Sequence, residues 1–351
     1  MYKFIIAILL FFTMSFSQKF QVALIPDTQM AIESCPSTND SQFSWIASHK
    51  DSLGLKYVIS LGDITNDNTV KEWQSASHAY SYVDKVFLPT IYAPGNHDGP
   101  STYARFNSTF TETRIDSVLR KVSYIRNHAY YPIGLTSNSY TNFDIGINRY
   151  TIIALQCSAG SFPDVIAWAN QVCAVNSDRR IILATHAYQD DKGVKLAEGQ
   201  KIWNSLINKH NNIFLVVCGH YTGESCVKTK TSLGNTVTQM LIDLQNGNVC
   251  GYQNSVTRLL EFNTANDSVK ATTFAVVGKR FMTGSKDNFS FSLDFGKTSV
   301  LNLVQNKPIH IKSKSIVYDL LGRSCQRTQT GIYLHRSISS NKFEFVPPNF
   351  K

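Results

Sequence analysis

Five side chains spread along this chain share a chemistry. Asp27, Asp63, Asn96, His186 and His220 offer hard oxygen and borderline nitrogen donors, with no thiolate among them. Such a set suits Zn, Mn or Fe acting as a Lewis acid on phosphate better than a closed structural cysteine site. Two ions about 3.5–4 Å apart could share one carboxylate, activate water between them and neutralise phosphoryl oxygens. Taken singly, each residue has an ordinary alternative: an aspartate can cap a helix, an asparagine can sit in a turn, and a histidine can be a hydrogen-bonded loop residue. The metal reading rests on where they stand together.

The elements around them repeat one pattern. Residues 21–25 (QVALI) form an apolar run stopped by Pro26 and followed by Asp27, Thr28 and Gln29, which predicts a strand ending at a polar loop. Residues 42–53 place Phe43, Ile46, Ala47 and Leu53 at roughly helical spacing, with Gly54 positioned to end the helix. Residues 57–61 (YVISL) read as a buried strand running into Gly62-Asp63, and a helix-compatible stretch over about 70–87 precedes a strand at 90–93 that leads to Pro94-Gly95-Asn96-His97-Asp98. Further strands are expected at 149–156, at 181–185 just before His186, and at 213–218 just before Gly219-His220, with helices at 162–176 and about 197–209. Strand, polar loop and helix repeated in this way imply parallel pairing with crossover helices. All five candidate ligands then fall just past the C-terminal ends of strands, the edge where open α/β sheets gather their site residues.

Residues 99–148, rich in Ser, Thr, Asn and Tyr, interrupt the pattern, and starting directly after His97 and Asp98 they are expected to border the active face. After His220 the runs TVTQMLIDLQ, TRLLEFN and KATTFAVV suggest a second, more antiparallel sheet or sheet half, in which Gln239 and Asp243 read as ordinary strand polars. From about 281 short alternating strands read as a separate small module. There is no GxSxG elbow around Ser158 or Ser161, no Walker A loop and no CxxC pair, which argues against a serine hydrolase, a nucleotide-driven phosphotransferase and a thioredoxin-like or zinc-ribbon centre.

The ordered blocks Asp27-Thr28-Gln29, Gly62-Asp63-Ile64-Thr65-Asn66, Gly95-Asn96-His97-Asp98, Thr185-His186 and Gly219-His220-Tyr221-Thr222 resemble the calcineurin-like metallophosphoesterase superfamily. The resemblance implies an α/β fold, the four-layer α/β/β/α metallophosphoesterase sandwich, over 18–280. It implies hydrolysis of a phosphomonoester or phosphodiester through a metal-activated hydroxide. By position, Asp63 would bridge two metals, Asn96, His186 and His220 would complete the second site, and Asp27 would bind the first. His97 would stabilise or protonate the departing oxygen, with Asp98 fixing its orientation. The cofactor implied is one or two divalent or trivalent ions, Mn, Zn or Fe.

At the first site the chain departs from the family pattern: Gln29 and Thr222 stand where the DxH and GHxH motifs carry imidazoles. Gln29 can offer a carbonyl oxygen and Thr222 a hydroxyl, both weaker ligands for transition metals than imidazole. The expectation is a loosely held first metal of harder preference, with a mononuclear enzyme or a surface-displayed binding protein as alternatives. The segments around 234–241 and 258–262 resemble the end of a bacterial subgroup of these enzymes. Tyr103, Arg105, Arg126 and Tyr188 are candidate substrate contacts beside an otherwise unspecified phosphate-ester substrate.

The termini carry their own signals. Residues 1–17 have Lys3, an apolar run at 4–12 and small residues at Ser15 and Ser17, the pattern of a secretory signal cleaved after Ser17. Residues 315–323 (SIVYDLLGR) and 331–334 (GIYL) resemble the C-terminal sorting domain of type IX secretion substrates, a small β-sandwich over 297–351 joined through 281–296, which implies export machinery as a partner and a secreted or cell-surface location. The formal charge is +9, but 297–351 alone hold nine Lys or Arg against two acidic residues, so the body is nearly neutral and gives no reason to expect a nucleic-acid partner. Seven cysteines cannot all pair within one chain; spacing offers Cys226 with Cys250 and Cys157 with Cys173.

Overall fold

The computed structural model describes residues 19–99 and 102–293, together with the backbone of four short strands between 317 and 346. The signal segment expected at 1–17 and most of 297–351 lie outside the described residues. The chain opens with β1 (Lys19–Ile25), α1 (Gln29–Ser34), α2 (Pro36–Ser48), β2 (Leu55–Ser60), α3 (Val70–Lys85) and β3 (Thr90–Tyr92). It continues through α4 (Ala104–Thr109), α5 (Glu112–Leu119), β4 (Ile125–Tyr130), β5 (Ser139–Ile145), β6 (Asn148–Leu155), α6 (Pro163–Val175), β7 (Arg180–Ala187), α7 (Ala197–Ser205) and β8 (Ile213–Gly219). Then come β9 (Gly223–Lys230), β10 (Thr236–Asp243), β11 (Val256–Asn263), β12 (Ser268–Ala275), β13 (Arg280–Phe281) and β14 (Asn288–Ser292), and finally β15 (Val317–Tyr318), β16 (Ser324–Cys325), β17 (Tyr333–Arg336) and β18 (Phe343–Val346).

Strands β1 to β14 form two mixed sheets. The first runs β13-β12-β11-β1-β2-β3 with β14 also on β12, and the second runs β4-β5-β6-β7-β8-β10-β9. Within them β1, β2 and β3 are parallel, as are β6, β7, β8 and β10, which agrees with the crossover pattern. Alternate residues of each parallel strand point to opposite faces. Val22, Leu24, Tyr57 and Ile59 of the first sheet therefore meet Ile152, Ile182, Leu215 and Met240 of the second in a central core. Their neighbours Ala23, Ile25 and Val58 pack outward on Phe43, Trp73, Tyr80, Phe106 and Phe110, while Ile153, Leu183 and Val216 pack outward on Val165, Ala169 and Ile202. The result is the expected α/β/β/α layering, with additional C-terminal strands in the order β16-β15-β17-β18.

Several local expectations need correction. The helix expected at 42–53 lies at Pro36–Ser48, started by a proline whose missing N–H is no loss in a first turn. Residues 102–148, which interrupt the strand–loop–helix pattern in sequence, supply α4 and α5, whose Phe106 and Phe110 enter the outer core, and β4 and β5. Their polar composition conceals a buried strand, because Asn142 on β5 is satisfied internally, donating to Asn176 Oδ1 at 2.7 Å and accepting from Thr151 Oγ1 at 2.8 Å. Of the two alternatives for the strands after His220, the antiparallel sheet half is the one found: β11, β12, β13 and β14 extend the first sheet through antiparallel pairs. β10 joins the second sheet beside β8, whereas β11 returns to pair antiparallel with β1. Residues 288–292, set apart by composition, pair with β12 in the first sheet.

The cysteines pair differently from the spacing-based expectation. Cys35 is bonded to Cys250, 215 residues away, while Cys157, Cys173, Cys218 and Cys226 are free. The crossing from β10 to β11 carries Cys250 from one sheet to the corner between α1 and α2, which spacing along the chain does not report. Closing so long a loop restricts the unfolded chain, so Cys35→Ser is expected to cost about 2–5 kcal/mol. Urea denaturation of the two proteins with and without dithiothreitol checks this. Identical midpoints in all four conditions would show that the bridge contributes no stability.

Candidate metal centre

The parallel strands deliver the expected residues to one edge. Asp27 follows β1, Asp63 follows β2, Asn96 follows β3 and His220 follows β8; His186 lies inside the last turn of extended chain in β7 rather than beyond it. Asp63 (φ 45°) and His220 (φ 76°) both adopt left-handed backbone, uncommon for residues with a β-carbon and a form of strain that clusters at functional sites.

His186 is the centre of the cluster. Its Nδ1 donates to the Leu61 carbonyl at 2.8 Å, which fixes the tautomer because a carbonyl can only accept. Nε2 then lies 3.1 Å from Asp63 Oδ2, 3.2 Å from Asn96 Oδ1 and 3.2 Å from His220 Nδ1. Lone pairs converging from four side chains, with the ring proton committed elsewhere, are what a cation stabilises. Asp63, His186 and His220 bring their ligand atoms within 4.8 Å of one another. Burial disfavours charge on His186, but the Asp63 and Asp27 carboxylates outweigh it and raise the imidazole above its usual range, so a proton on Nε2 and a cation held by its lone pair compete for the same negative field. Asp27, Asp63 and His186 form a buried floor, while Asn96 and His220 are exposed, so one side of the cluster is open to solvent.

The neighbouring first site is built from oxygen. Asp27 Oδ1 accepts from the His220 amide at 3.0 Å, whereas Asp27 Oδ2 and Gln29 Oε1 are buried without a hydrogen-bond partner. Buried polar atoms are ordinarily paired, so these two oxygens fit a group that supplies positive charge. Glycine makes the approach possible: a β-carbon at Gly219 would lie 2.2 Å from Asp27 Oδ2. Thr222 is exposed in the turn before β9, outside this buried cluster, since the chain leaves at Gly223 to form the hairpin with β10. Asp243, read from the sequence as an ordinary strand polar, is fully buried at the end of β10. Its sequence carries the same signal as Asp27 and Asp63, an apolar strand that ends in a carboxylate.

His97 is half-buried, and its ring is oriented by a residue that the sequence reading did not single out. His97 Nδ1 donates to the Asn66 carbonyl at 2.6 Å, and its amide donates to Asp63 Oδ1 at 2.9 Å. The Asn66 segment is in turn held by Glu72, which accepts from the amides of Asn66, Asp67 and Thr69 and closes a capping box at the start of α3. Asp98 does not orient the imidazole. It is buried beneath both loops, accepting from the amides of Ile64, Thr65 and Gly95 at 2.8–2.9 Å. Burial and the Asp63 charge push its carboxyl up to about 7 against those hydrogen bonds.

The candidate substrate contacts divide. Tyr103 is buried beside the site, its phenol raised by burial and then by the nearby Cys157, Asp98 and Asp63, and Arg105 is exposed, donating to the Asn68 carbonyl at 3.0 Å. Arg126 pairs with Asp144 at the end of β4 and β5 that lies by the start of β6, opposite the strand ends that carry the ligands. Tyr188 is buried in the outer core and donates to Gln239 Oε1 at 2.8 Å. Neither of these two can touch a substrate at the cluster.

Comparison with known proteins agrees with this geometry. The chain is 33% identical over 287 residues to the uncharacterized protein YvnB of Bacillus subtilis (strain 168), an alignment covering 76% of this chain and 21% of that protein, so the chain spans about a fifth of its curated relative. A solved structure described as GAP50, the anchor in the inner membrane complex of Plasmodium, superposes with a TM-score of 0.50 over 78% of this chain and 90% of that one, at 10% identity, a likeness of fold alone. The calcineurin-like phosphoesterase profile matches residues 20–222, the same span that carries every ligand from Asp27 to His220, and the chain belongs to that family.

Proposed function

We propose that this protein is a metal-dependent phosphoesterase that hydrolyses a phosphomonoester or phosphodiester. The observation that carries the reading is His186 Nε2 facing Asp63, Asn96 and His220 at 3.1–3.2 Å, with His97 anchored to the same Asp63. Asp63, Asn96, His186 and His220 would hold one cation, and Asp27, Gln29 and the shared Asp63 a second. Bound Mn, Zn or Fe would supply Lewis acidity toward phosphoryl oxygens and lower the pKa of water. Asp63 and Asn96 orient the site from two different loops, and the exposed side of Asn96 and His220 admits the ester. His97, with its Nδ1–H held by the Asn66 carbonyl, leaves Nε2 available; in the imidazolium form the Nε2 proton passes to the departing oxygen and the ring is left neutral with its Nδ1–H still on Asn66.

Export is proposed with it. The apolar segment after Lys3 supports it, as does the Cys35–Cys250 bridge, which persists in oxidising compartments. The YDLLGR and GIYL segments support a sorting role for 297–351, recognised by secretion machinery at the cell surface.

The test is hydrolysis of bis(p-nitrophenyl) phosphate and of p-nitrophenyl phosphate by chelator-stripped protein reloaded with Mn, Zn or Fe. Turnover is expected only after reloading, with His97→Ala lowering kcat by about 10²–10⁴-fold. Folded, metal-loaded protein inert on both esters would favour the reading that the exposed Thr222 suggests, a binding protein that has kept the fold.

A further inference from the structure

His97 is only as well placed as the carbonyl that holds it, and that carbonyl belongs to Asn66, in the loop between β2 and α3. What fixes the loop is the buried side chain of Glu72. Its Oε1 accepts from the amides of Asn66 and Asp67 at 2.7 and 2.9 Å, and its Oε2 accepts from the amide and the hydroxyl of Thr69, both at 2.7 Å. A capping box needs only the bonds exchanged with Thr69. The two on Oε1 reach past the helix to the turn that presents the Asn66 carbonyl to His97 Nδ1. Burial opposes charge on Glu72, but hydrogen bonds from Asp67, Thr69 and Asn66 outweigh it and hold the carboxyl below its usual range. The acceptor is therefore ionised, which strengthens all four bonds. The turn is also tied at Asn68, whose side chain accepts from Trp73 Nε1 at 2.6 Å and whose carbonyl accepts from Arg105 at 3.0 Å.

We propose that Glu72 is the positioning residue for His97: through the Asn66 carbonyl it holds the imidazole as the Nδ1–H tautomer and leaves Nε2 for the departing oxygen. The inference rests on the phosphoesterase reading for the task of His97, and on the hydrogen bonds alone for the tautomer. Asp98, which the sequence offered as the partner of this ring, is taken up by the amides of Ile64, Thr65 and Gly95, so the ring depends on a carbonyl instead. A neutral carbonyl is a weaker acceptor than a carboxylate, and its alignment is only as good as the hold on its peptide. Thr69-x-x-Glu72 reads in sequence as the start of a helix, which is why motif reading does not reveal the second task of the glutamate.

Long-range ¹H–¹⁵N spectra of the zinc-loaded full chain in alkaline buffer, with the His97 ring signals assigned by their loss in His97→Ala, read the tautomer without reference to turnover. Wild type is expected to show the Nδ1–H form, and Glu72→Ala a mixture of both tautomers. Glu72→Gln, whose one carbonyl oxygen can serve only one of the two pairs of donors, should lie between. The second readout compares phenyl phosphate with p-nitrophenyl phosphate. Phenolate is the poorer leaving group and needs the proton more, so the loss of kcat in Glu72→Ala should be about 10-fold or more greater on phenyl phosphate, with KM little changed. Thr111→Ala, which removes the N-cap of a different helix, α5, controls for lost stability: it should lower the melting temperature and leave both readouts as in wild type. A wild-type tautomer in folded Glu72→Ala, or in Glu72→Gln if the alanine variant does not fold, would overturn the role of Glu72 and leave the phosphoesterase reading standing. An unchanged ratio of the two rates would overturn it as well. Metal-loaded wild type inert on both esters would remove the phosphoesterase reading, and the tautomer alone would then decide whether Glu72 holds the ring.

Discussion

Replacing Asp63 by asparagine is expected to lower kcat/KM on an activated phosphodiester by about 10³-fold or more, the scale seen when one preorganised electrostatic contact to the transition state is removed. Asp63 is the residue on which the cluster converges. One oxygen lies 3.1 Å from His186 Nε2, the other accepts from the His97 amide at 2.9 Å, and its own carbonyl accepts from the Gln29 amide at 2.9 Å. Asparagine keeps the size and can still accept from His97, but it removes the charge that both cations would share. The loss should therefore appear in bound metal, measured by inductively coupled plasma analysis, with far-UV circular dichroism unchanged. Undiminished turnover and metal content in Asp63→Asn would contradict the assigned centre.

A single methyl group at Gly95 is expected to do comparable damage without touching any ligand. A β-carbon there would lie 2.1 Å from Asp63 Oδ1 and 2.4 Å from the Asp63 amide, far inside contact distance and against backbone that cannot swing away. Gly95→Ala must therefore displace either the Asp63 loop or the loop that carries Asn96 and His97. Overpacking of this kind costs about 1–3 kcal/mol, and small displacements of a positioned group can cost about 10²-fold in rate. Gly247→Ala is the control, since a β-carbon at Gly247 meets nothing within 4 Å. The expected result is a lowered melting temperature and near-complete loss of turnover in Gly95→Ala, with both unchanged in Gly247→Ala. If Gly95→Ala kept wild-type kcat, the close approach of the two loops would have no part in activity.

The sequence alone determined the parallel strands and the side chains that end them. A strand buried on both faces must be continuously apolar, and the chain can turn polar only where it leaves the sheet. That is why QVALI, YVISL, IILAT and IFLVVC each announce a site residue, and why Asp27, Asp63, Asn96, His186 and His220 could be picked out before any coordinates. What tertiary structure decided was which strand pairs with which and what each polar group faces. Apolar runs report burial but not partners, so the return of β11 to β1, the placement of β10 beside β8 and the Cys35–Cys250 bridge were not legible. For the same reason Asp98 and Tyr188 could not be recognised as supports rather than participants, nor Asn66 as the residue that turns the His97 ring. Asp243 shows the limit most clearly: residue type and strand end were visible, but that it stands at the edge that carries His220 was not, because the parallel pairing of β10 with β8 is decided by the fold and by neither run alone.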